Sequence, residues 1–149
     1  MKLELPEDKR LVHTIVVPIR WGDMDAMGHV NNTLYFRYME IARLDWFFGM
    51  GLPADPKGEG PVIVNAFCNF IRQFEFPGDV LVKTYLGAMG KTSFDTYHEM
   101  LRTDDPKTVY ANGGATCVWV DFPKQKAVPM SERARGLIES AGGPPRLAE

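Results

Sequence analysis

The segment Asn31-Asn32-Thr33-Leu34-Tyr35-Phe36-Arg37-Tyr38-Met39-Glu40-Ile41-Ala42-Arg43-Leu44-Asp45-Trp46-Phe47-Phe48-Gly49-Met50 contains no proline. Its apolar residues fall into two rows at helical spacing, Tyr35, Met39, Ala42, Trp46 and Leu34, Tyr38, Ile41. Only a narrow stripe of Arg37, Glu40 and Arg43 is left for solvent, so a helix from about Asn32 to Met50 is expected to be nearly surrounded by protein. Asn31 or Asn32 serves as its N-cap, the side-chain oxygen accepting from an otherwise unpaired amide one or two residues on. Gly49 and Gly51 provide the stop.

Working outward, Leu11 to Arg20 is rich in Val and Ile and reads as a strand, with Pro18 arguing for an edge position or a bulge. Trp21 to Asn31 is a loop. Beyond the helix, Pro53 to Pro61 is a surface connection, followed by strands over about Val62 to Arg72, Val80 to Gly90, Thr92 to Arg102 and Thr108 to Asp121. Turn signals separate them at Pro77-Gly78-Asp79, Gly90-Lys91 and Asp104-Asp105-Pro106. In the first of these strands Val62, Val64, Ala66, Cys68 and Phe70 form one apolar face, with Ile63, Asn65, Phe67, Asn69 and Ile71 on the other. Gly113, Gly114 and Ala115 are small at adjacent positions, which suits a bulge or the close approach of another backbone. Ser131 to Ser140 is a short terminal helix, and Gly142 to Glu149 is expected to be a frayed tail. The order of elements gives an α+β domain in which an antiparallel sheet of about five strands curls around one long helix. A parallel sheet is excluded, because each later connection is too short for a crossover.

The chain has 149 residues, with 45% hydrophobic and 24% charged, and is expected to form one domain over residues 1–149. A formal charge of -2 excludes an electrostatic nucleic-acid binder. Two cysteines, Cys68 and Cys117, make neither a disulfide scaffold nor a metal knuckle, and a reducing cytoplasm is the expected location. No secretory h-region or membrane-length apolar run is present, so no membrane partner is expected.

The chemistry concentrates in Arg20-Trp21-Gly22-Asp23-Met24-Asp25-Ala26-Met27-Gly28-His29-Val30-Asn31-Asn32. Two carboxylates, a histidine and two amides precede a helix whose first amides are unpaired and partly positive. Such an end can hold an anion or polarise a carbonyl, and a nearby carboxylate can attack that carbonyl or activate water, which suits acyl transfer. Turn formation and capping by Asp and Asn account for the same residues structurally. Calcium is excluded because Met27 and Leu34 occupy EF-hand ligand positions, and His13, His29 and His98 show no zinc spacing. No G-x-S-x-G elbow or Walker A loop occurs, and Cys68 and Cys117 read as buried inert thiols.

Arg20-Trp21-Gly22-Asp23-Met24-Asp25, Gly28-His29-Val30-Asn31-Asn32, Tyr35 and Glu40-Ile41-Ala42-Arg43, with Phe74-Glu75-Phe76-Pro77-Gly78-Asp79 downstream, resemble the signature of hotdog-fold acyl-CoA thioesterases of the 4-hydroxybenzoyl-CoA thioesterase type. The resemblance spans roughly Leu11 to Pro123 and implies hydrolysis of acyl-CoA or aroyl-CoA thioesters. Asp25 matches the family's catalytic carboxylate, as nucleophile or general base, and the Asn32 backbone N–H matches the group that polarises the thioester carbonyl. His29 corresponds to an accessory polar group of the plant branch, whose nearby Asn is replaced here by Met27. Asp23 caps or orients the loop, and Arg20 and Arg43 are placed to pair with Asp23 or Glu40. For the CoA phosphates the candidates are Arg72, Lys91, Thr92 and Ser93. The resemblance further implies a homo-oligomer, dimer or tetramer, with sites at the subunit interface; no cofactor and no metal are expected. An acyl-carrier-protein substrate, a hotdog hydratase and a non-catalytic acyl-CoA-binding module are the competing readings. Trp46, Phe47, Phe48, Phe67 and Phe70 read as core or as the wall of an acyl pocket.

Overall fold

A computed structural model describes residues 3–141; the tail from Gly142 lies outside them. In chain order the elements are β1 (Arg10–Pro18), α1 (Asn32–Gly49), β2 (Glu59–Phe70), β3 (Asp79–Met89), β4 (Ser93–Arg102), β5 (Asp105–Asp121), a two-residue β6 (Lys126–Ala127) and α2 (Glu132–Ser140). The strands form one antiparallel sheet in the order β1-β3-β4-β5-β2, with β6 added on β5. This is the expected α+β architecture of a hotdog fold. Pro18 is tolerated because β1 is an edge strand and Pro18 pairs at its last position with Asp79.

Asn31, not Asn32, caps α1: its Oδ1 accepts from the Thr33 N–H at 3.0 Å. At the other end Gly51 takes a φ of +82°, the left-handed conformation that only glycine adopts without strain. This places the Leu52 N–H on the Phe47 carbonyl at 2.9 Å and the Gly51 N–H on the Phe48 carbonyl at 3.0 Å, satisfying two carbonyls that the helix leaves open. Two clusters of core residues lie along the helix. Tyr35, Tyr38, Met39 and Ala42 pack with Phe74, Val80, Val82, Met100 and Ala111 toward its start. Trp46 and Phe47 pack with Leu86, Phe94, Cys117, Trp119 and α2 residues Ala134 and Ile138 toward its end.

The structure corrects the sequence reading in several places: β2 begins at Glu59, inside the expected connection, and β5 at Asp105, inside the expected turn. Arg43, expected on the solvated stripe, is buried. The alternation of β2 is broken by a bulge between Ile63 and Asn65. Ala66, Cys68 and Phe70 share a face as expected, opposite buried Ala115, Gly113 and Ala111, but before the bulge Ile63 takes that side, opposite buried Cys117, and Val62 moves to the outer face. β2 is also the second edge strand, which leaves Ile63, Val64 and Phe70 exposed.

The small residues of β5 do permit close approach. A Cβ at Gly113 would stand 2.2 Å from the Phe67 carbonyl oxygen of β2 and 3.1 Å from Met39 Sδ of α1, while one at Gly114 would collide with the rings of Tyr97 and Phe67 on the outer face.

Candidate active site

Asp25 heads a tight turn. The Gly28 N–H donates to the Asp25 carbonyl at 3.1 Å, and the Asp25 N–H donates to the His29 carbonyl at 2.8 Å. A single bridge between Met24 and Val30 closes the loop. Gly28 adopts φ +78°, which lets the chain reverse within these few residues. The Asp25 side chain folds back on its own turn, Oδ1 accepting from the Met27 N–H at 2.8 Å and standing 3.4 Å from the His29 nitrogen. Its Oδ2 makes no hydrogen bond among the described residues. Asp25 is solvent-exposed and lines an open depression of about 600 Å³ with Trp21, Gly22, Met24, Ala26, Gly28 and Phe76.

The loop is fixed to the body of the protein by contacts that sequence reading did not show. Tyr38, buried in α1, donates its hydroxyl to Asp23 Oδ2 at 2.7 Å. Burial, and then the Asp23 carboxylate, push the Tyr38 phenol far above its ordinary range, so it remains a donor. Asp23 also accepts from the Arg20 N–H through Oδ2 and from the Asn31 N–H through its carbonyl. This is the orienting role expected of Asp23, with a tyrosine rather than an arginine as partner. Phe74, fully buried, donates its N–H to the Tyr35 hydroxyl at 3.2 Å and accepts from the Val30 N–H at 2.9 Å. The helical period marked Tyr35 and Tyr38 as core; nothing in it could show that their hydroxyls hold the loop.

At the start of α1 the amides divide clearly. Thr33 donates to Asn31 Oδ1 and Leu34 to the Asn31 carbonyl, whereas the Asn32 N–H donates to no acceptor among the described residues. The Asn32 amide thus stands at the positive end of the helix dipole without an acceptor among the described residues. Neither Asn32 nor His29 lines the depression around Asp25. The His29 ring faces Glu75, with Nε2 3.3 Å from Oε1, so only its backbone approaches Asp25.

Of the basic candidates, Arg72 is exposed just before Phe74, near the Asp25 loop, its N–H on the Tyr110 carbonyl. Lys91, Thr92 and Ser93 form the β3–β4 turn, which is held by backbone bonds to Met130, Trp119 and Gly90. Asp79, next to the Asp25 loop through Gly78 and Ile19, begins β3 and Met89 ends it, a span of about 33 Å at about 3.3 Å per residue. Those three residues therefore sit at the far end of the sheet from the Asp25 of their own chain.

Arg43 pairs with neither Asp23 nor Glu40. Its Nη1 meets His98 Nε2 at 3.3 Å, and His98 Nδ1 lies 3.1 Å from Thr84 Oγ1. A guanidinium only donates, so Nε2 is the acceptor and the Nδ1–H donates to Thr84, which fixes one neutral tautomer. Burial, then the Arg43 charge, hold the His98 pKa well below the usual histidine range. Burial likewise pushes the Cys68 thiol up to about 12 and the Cys117 thiol up to about 11, leaving both protonated at neutral pH. Among the described residues no group of three His, Cys, Asp or Glu side chains is placed to hold a metal ion, and no helix is long and apolar enough to cross a membrane.

A curled antiparallel sheet around one helix, with a carboxylate turn leading into that helix's uncovered first amide, defines a hotdog-type domain of the kind that handles thioesters. The chain belongs to the Thioesterase-like superfamily, whose family model matches residues 19–137. It is similar to the PA2801 protein of Pseudomonas aeruginosa, described as a candidate thioesterase, with 37% identity and a TM-score of 0.82 over 87% of this chain and 99% of that one. A candidate acyl-CoA thioesterase from Xanthomonas campestris shows 30% identity and a TM-score of 0.73, covering 81% of this chain and all of its own. The gentisyl-coenzyme A thioesterase BH1999 shows 26% identity and a TM-score of 0.74 over 83% and 99% of the two chains.

Proposed function

We propose that this thioesterase hydrolyses acyl-CoA or aroyl-CoA thioesters with Asp25 as the reacting carboxylate and the Asn32 N–H as the group that polarises the thioester carbonyl. The observation that carries this reading is the division of the first-turn amides: bonds to Asn31 occupy Thr33 and Leu34 and leave Asn32, which follows the Asp25 turn directly in the chain, without an acceptor among the described residues. As general base, Asp25 Oδ2 takes a proton from water whose oxygen attacks the carbonyl carbon. The oxyanion formed is stabilised by the Asn32 N–H and the helix dipole. When the C–S bond breaks, the sulfur leaves as the CoA thiolate, and the proton held by Asp25 neutralises it. As nucleophile, the same oxygen attacks the carbonyl directly and expels the thiolate, giving an acyl anhydride that water then cleaves. His29, turned toward Glu75, is an accessory group at most through its backbone N–H.

The exposed edge of β2 and the neighbouring apolar side chains of α1, Phe36, Leu44 and Phe48, support a homodimer or a higher oligomer closed through this side. Across such an interface Lys91, Thr92 and Ser93 of one copy can serve the Asp25 of another, and Arg72 the Asp25 of its own chain, as contacts for CoA phosphates. Two free cysteines suit a cytoplasmic enzyme.

The test is hydrolysis of a panel of acyl-CoAs by the wild type and Asp25→Asn, following release of the free thiol. A fall in kcat of about 10² to 10⁴ with the fold intact is expected. A folded variant with unchanged turnover overturns the assignment of Asp25. Saturable binding of acyl-CoA without thiol release favours the binding module instead.

A further inference from the structure

The segment Glu75-Phe76-Pro77 crosses from β2 to β3 and brings Phe76 into the wall of the depression that Asp25 lines. Both ends of the segment are tied to the body of the protein. Phe74 is bonded to Tyr35 and Val30, and the Gly78 carbonyl accepts from the Ile19 N–H at 2.9 Å. Between those ends the backbone has nothing of its own to hold it. Pro77 carries no N–H, and among the described residues no backbone–backbone hydrogen bond reaches Glu75, Phe76 or Pro77.

Arg102 supplies what is missing. It ends β4 and is paired there with Val80 of β3 and Asp105 of β5, so the sheet fixes its backbone on both sides. Nη1 donates to the Glu75 carbonyl at 2.9 Å and Nη2 to the Pro77 carbonyl at 2.9 Å. Nε and Nη2 donate to the two carboxylate oxygens of Asp104, at 2.8 and 3.0 Å. The carboxylate sets the plane of the guanidinium fork, and the rest of the fork grips the loop. The Gly78 backbone lies directly against it, since a Cβ there would stand 2.3 Å from Nη2. All of these bonds are made within one chain and need no second copy.

We propose that Arg102 is a positioning residue for thioester hydrolysis, holding Phe76 as a wall against which the substrate is seated beside Asp25. The inference rests on the reading of Asp25 as the reacting carboxylate. Phe76 shares the wall of one depression with that carboxylate, so a group seated against Asp25 meets the ring. Arg102 itself bonds to the backbone on either side of Phe76 and acts through the ring alone.

The wild type, Phe76→Ala, Arg102→Gln and the double variant are compared in two assays. One is hydrolysis of octanoyl-CoA and benzoyl-CoA; the other is titration with the thioethers S-octyl-CoA and S-benzyl-CoA, which have no thioester bond to cleave. Phe76→Ala is expected to raise KM and the thioether Kd about tenfold, the worth of a phenyl ring partly covered by ligand. Arg102→Gln should raise both by a smaller factor, because the wall is loosened rather than removed. In the double variant the rise should match that of Phe76→Ala alone within about twofold, since nothing is left to position once the ring is gone. Asp104→Ala, at a side chain 66% exposed, is expected to fold even where Arg102→Gln does not. It frees the fork from the carboxylate and should raise KM with the same dependence on Phe76. Effects of the Arg102 or Asp104 variant that multiply with that of Phe76→Ala overturn the proposal. So do folded variants with a lower urea midpoint and unchanged KM and Kd, which would make the clamp structural only. A wild type that binds the thioethers but releases no thiol from either ester counts against the thioesterase reading, and the Kd comparison then decides the role of Arg102. Neither binding nor hydrolysis by the wild type overturns both.

Discussion

His98 should make the native state sensitive to mild acid in a measurable way. The side chain is fully buried on β4, faced by the Arg43 guanidinium from α1 and the Thr84 hydroxyl from β3, with no carboxylate bonded to it. Its native pKa lies well below the usual value, chiefly through burial and secondly through Arg43. In the unfolded chain it titrates near the ordinary value of about 6.5. Below that pH the unfolded state takes up a proton that the native state refuses, so stability is complete above it and falls as pH falls. Linkage sets the ceiling: if the native state takes up no proton at all, the loss relative to pH 8 is at most about 1.4 kcal/mol at pH 5.5 and at most about 2 kcal/mol at pH 5. For a domain of this size that ceiling corresponds to roughly 4–8 °C in Tm at pH 5. Urea unfolding of the wild type and His98→Gln at pH 8, 6.5, 5.5 and 5, at one protein concentration, measures it. The variant loses stability at pH 8, since it disturbs Arg43 and Thr84. Its curve should nevertheless be flatter, by up to the stated amounts, the carboxylates and the other two histidines cancelling in the difference. Parallel curves within a few tenths of a kcal/mol would refute the reasoning, because they would mean that His98 binds its proton equally well in both states.

Tyr38→Phe removes the hydroxyl that holds Asp23 and should destabilise the protein by about 1.5–3 kcal/mol, the cost of a buried hydrogen bond to a charged group, read from urea midpoints. It should also lower kcat by loosening the loop that carries Asp25. Gly113→Ala is expected to cost about 1–3 kcal/mol, since the new methyl group meets the β2 backbone and only a shift of that strand relieves it; an unchanged midpoint would count against that packing. Neither Cys68 nor Cys117 should react at an appreciable rate with a disulfide reagent at pH 7 in the native protein, while both react on unfolding. Single-turnover hydrolysis in ¹⁸O-labelled water should leave label on Asp25 only if that carboxylate is the nucleophile.

The helix and its cap were readable because they depend on local facts. Two apolar rows at a period near 3.6, an Asn at the start and glycines at the end constrain backbone and burial within a few residues of each other. Strand positions were readable for the same reason apart from the starts of β2 and β5, while Pro18 left an edge position and a bulge open for β1, and the structure makes it an edge. The roles proposed for Asp25 and Asn32 also fall within one short stretch, so the sequence could point to both before any tertiary contact was known. The face pattern of β2 failed where a single bulged residue shifted its phase, because side-chain alternation counts paired residues rather than residues.

By itself, then, the sequence determined one helix in a curled antiparallel sheet, with a carboxylate turn leading into an open helix end. Only the tertiary structure decided what that helix does with Arg43. On the period alone Arg43 belongs to the polar stripe, and the residues that draw it inward, Thr84 and His98, arrive from strands far along the chain. The same holds for Tyr38 and Phe74 as anchors of the Asp25 loop, and for the distance that separates Lys91, Thr92 and Ser93 from it. Local periodicity specifies which backbone conformation is favoured; which polar group ends up buried, and beside which partner, depends on contacts between distant segments that exist only once the sheet has closed over the helix.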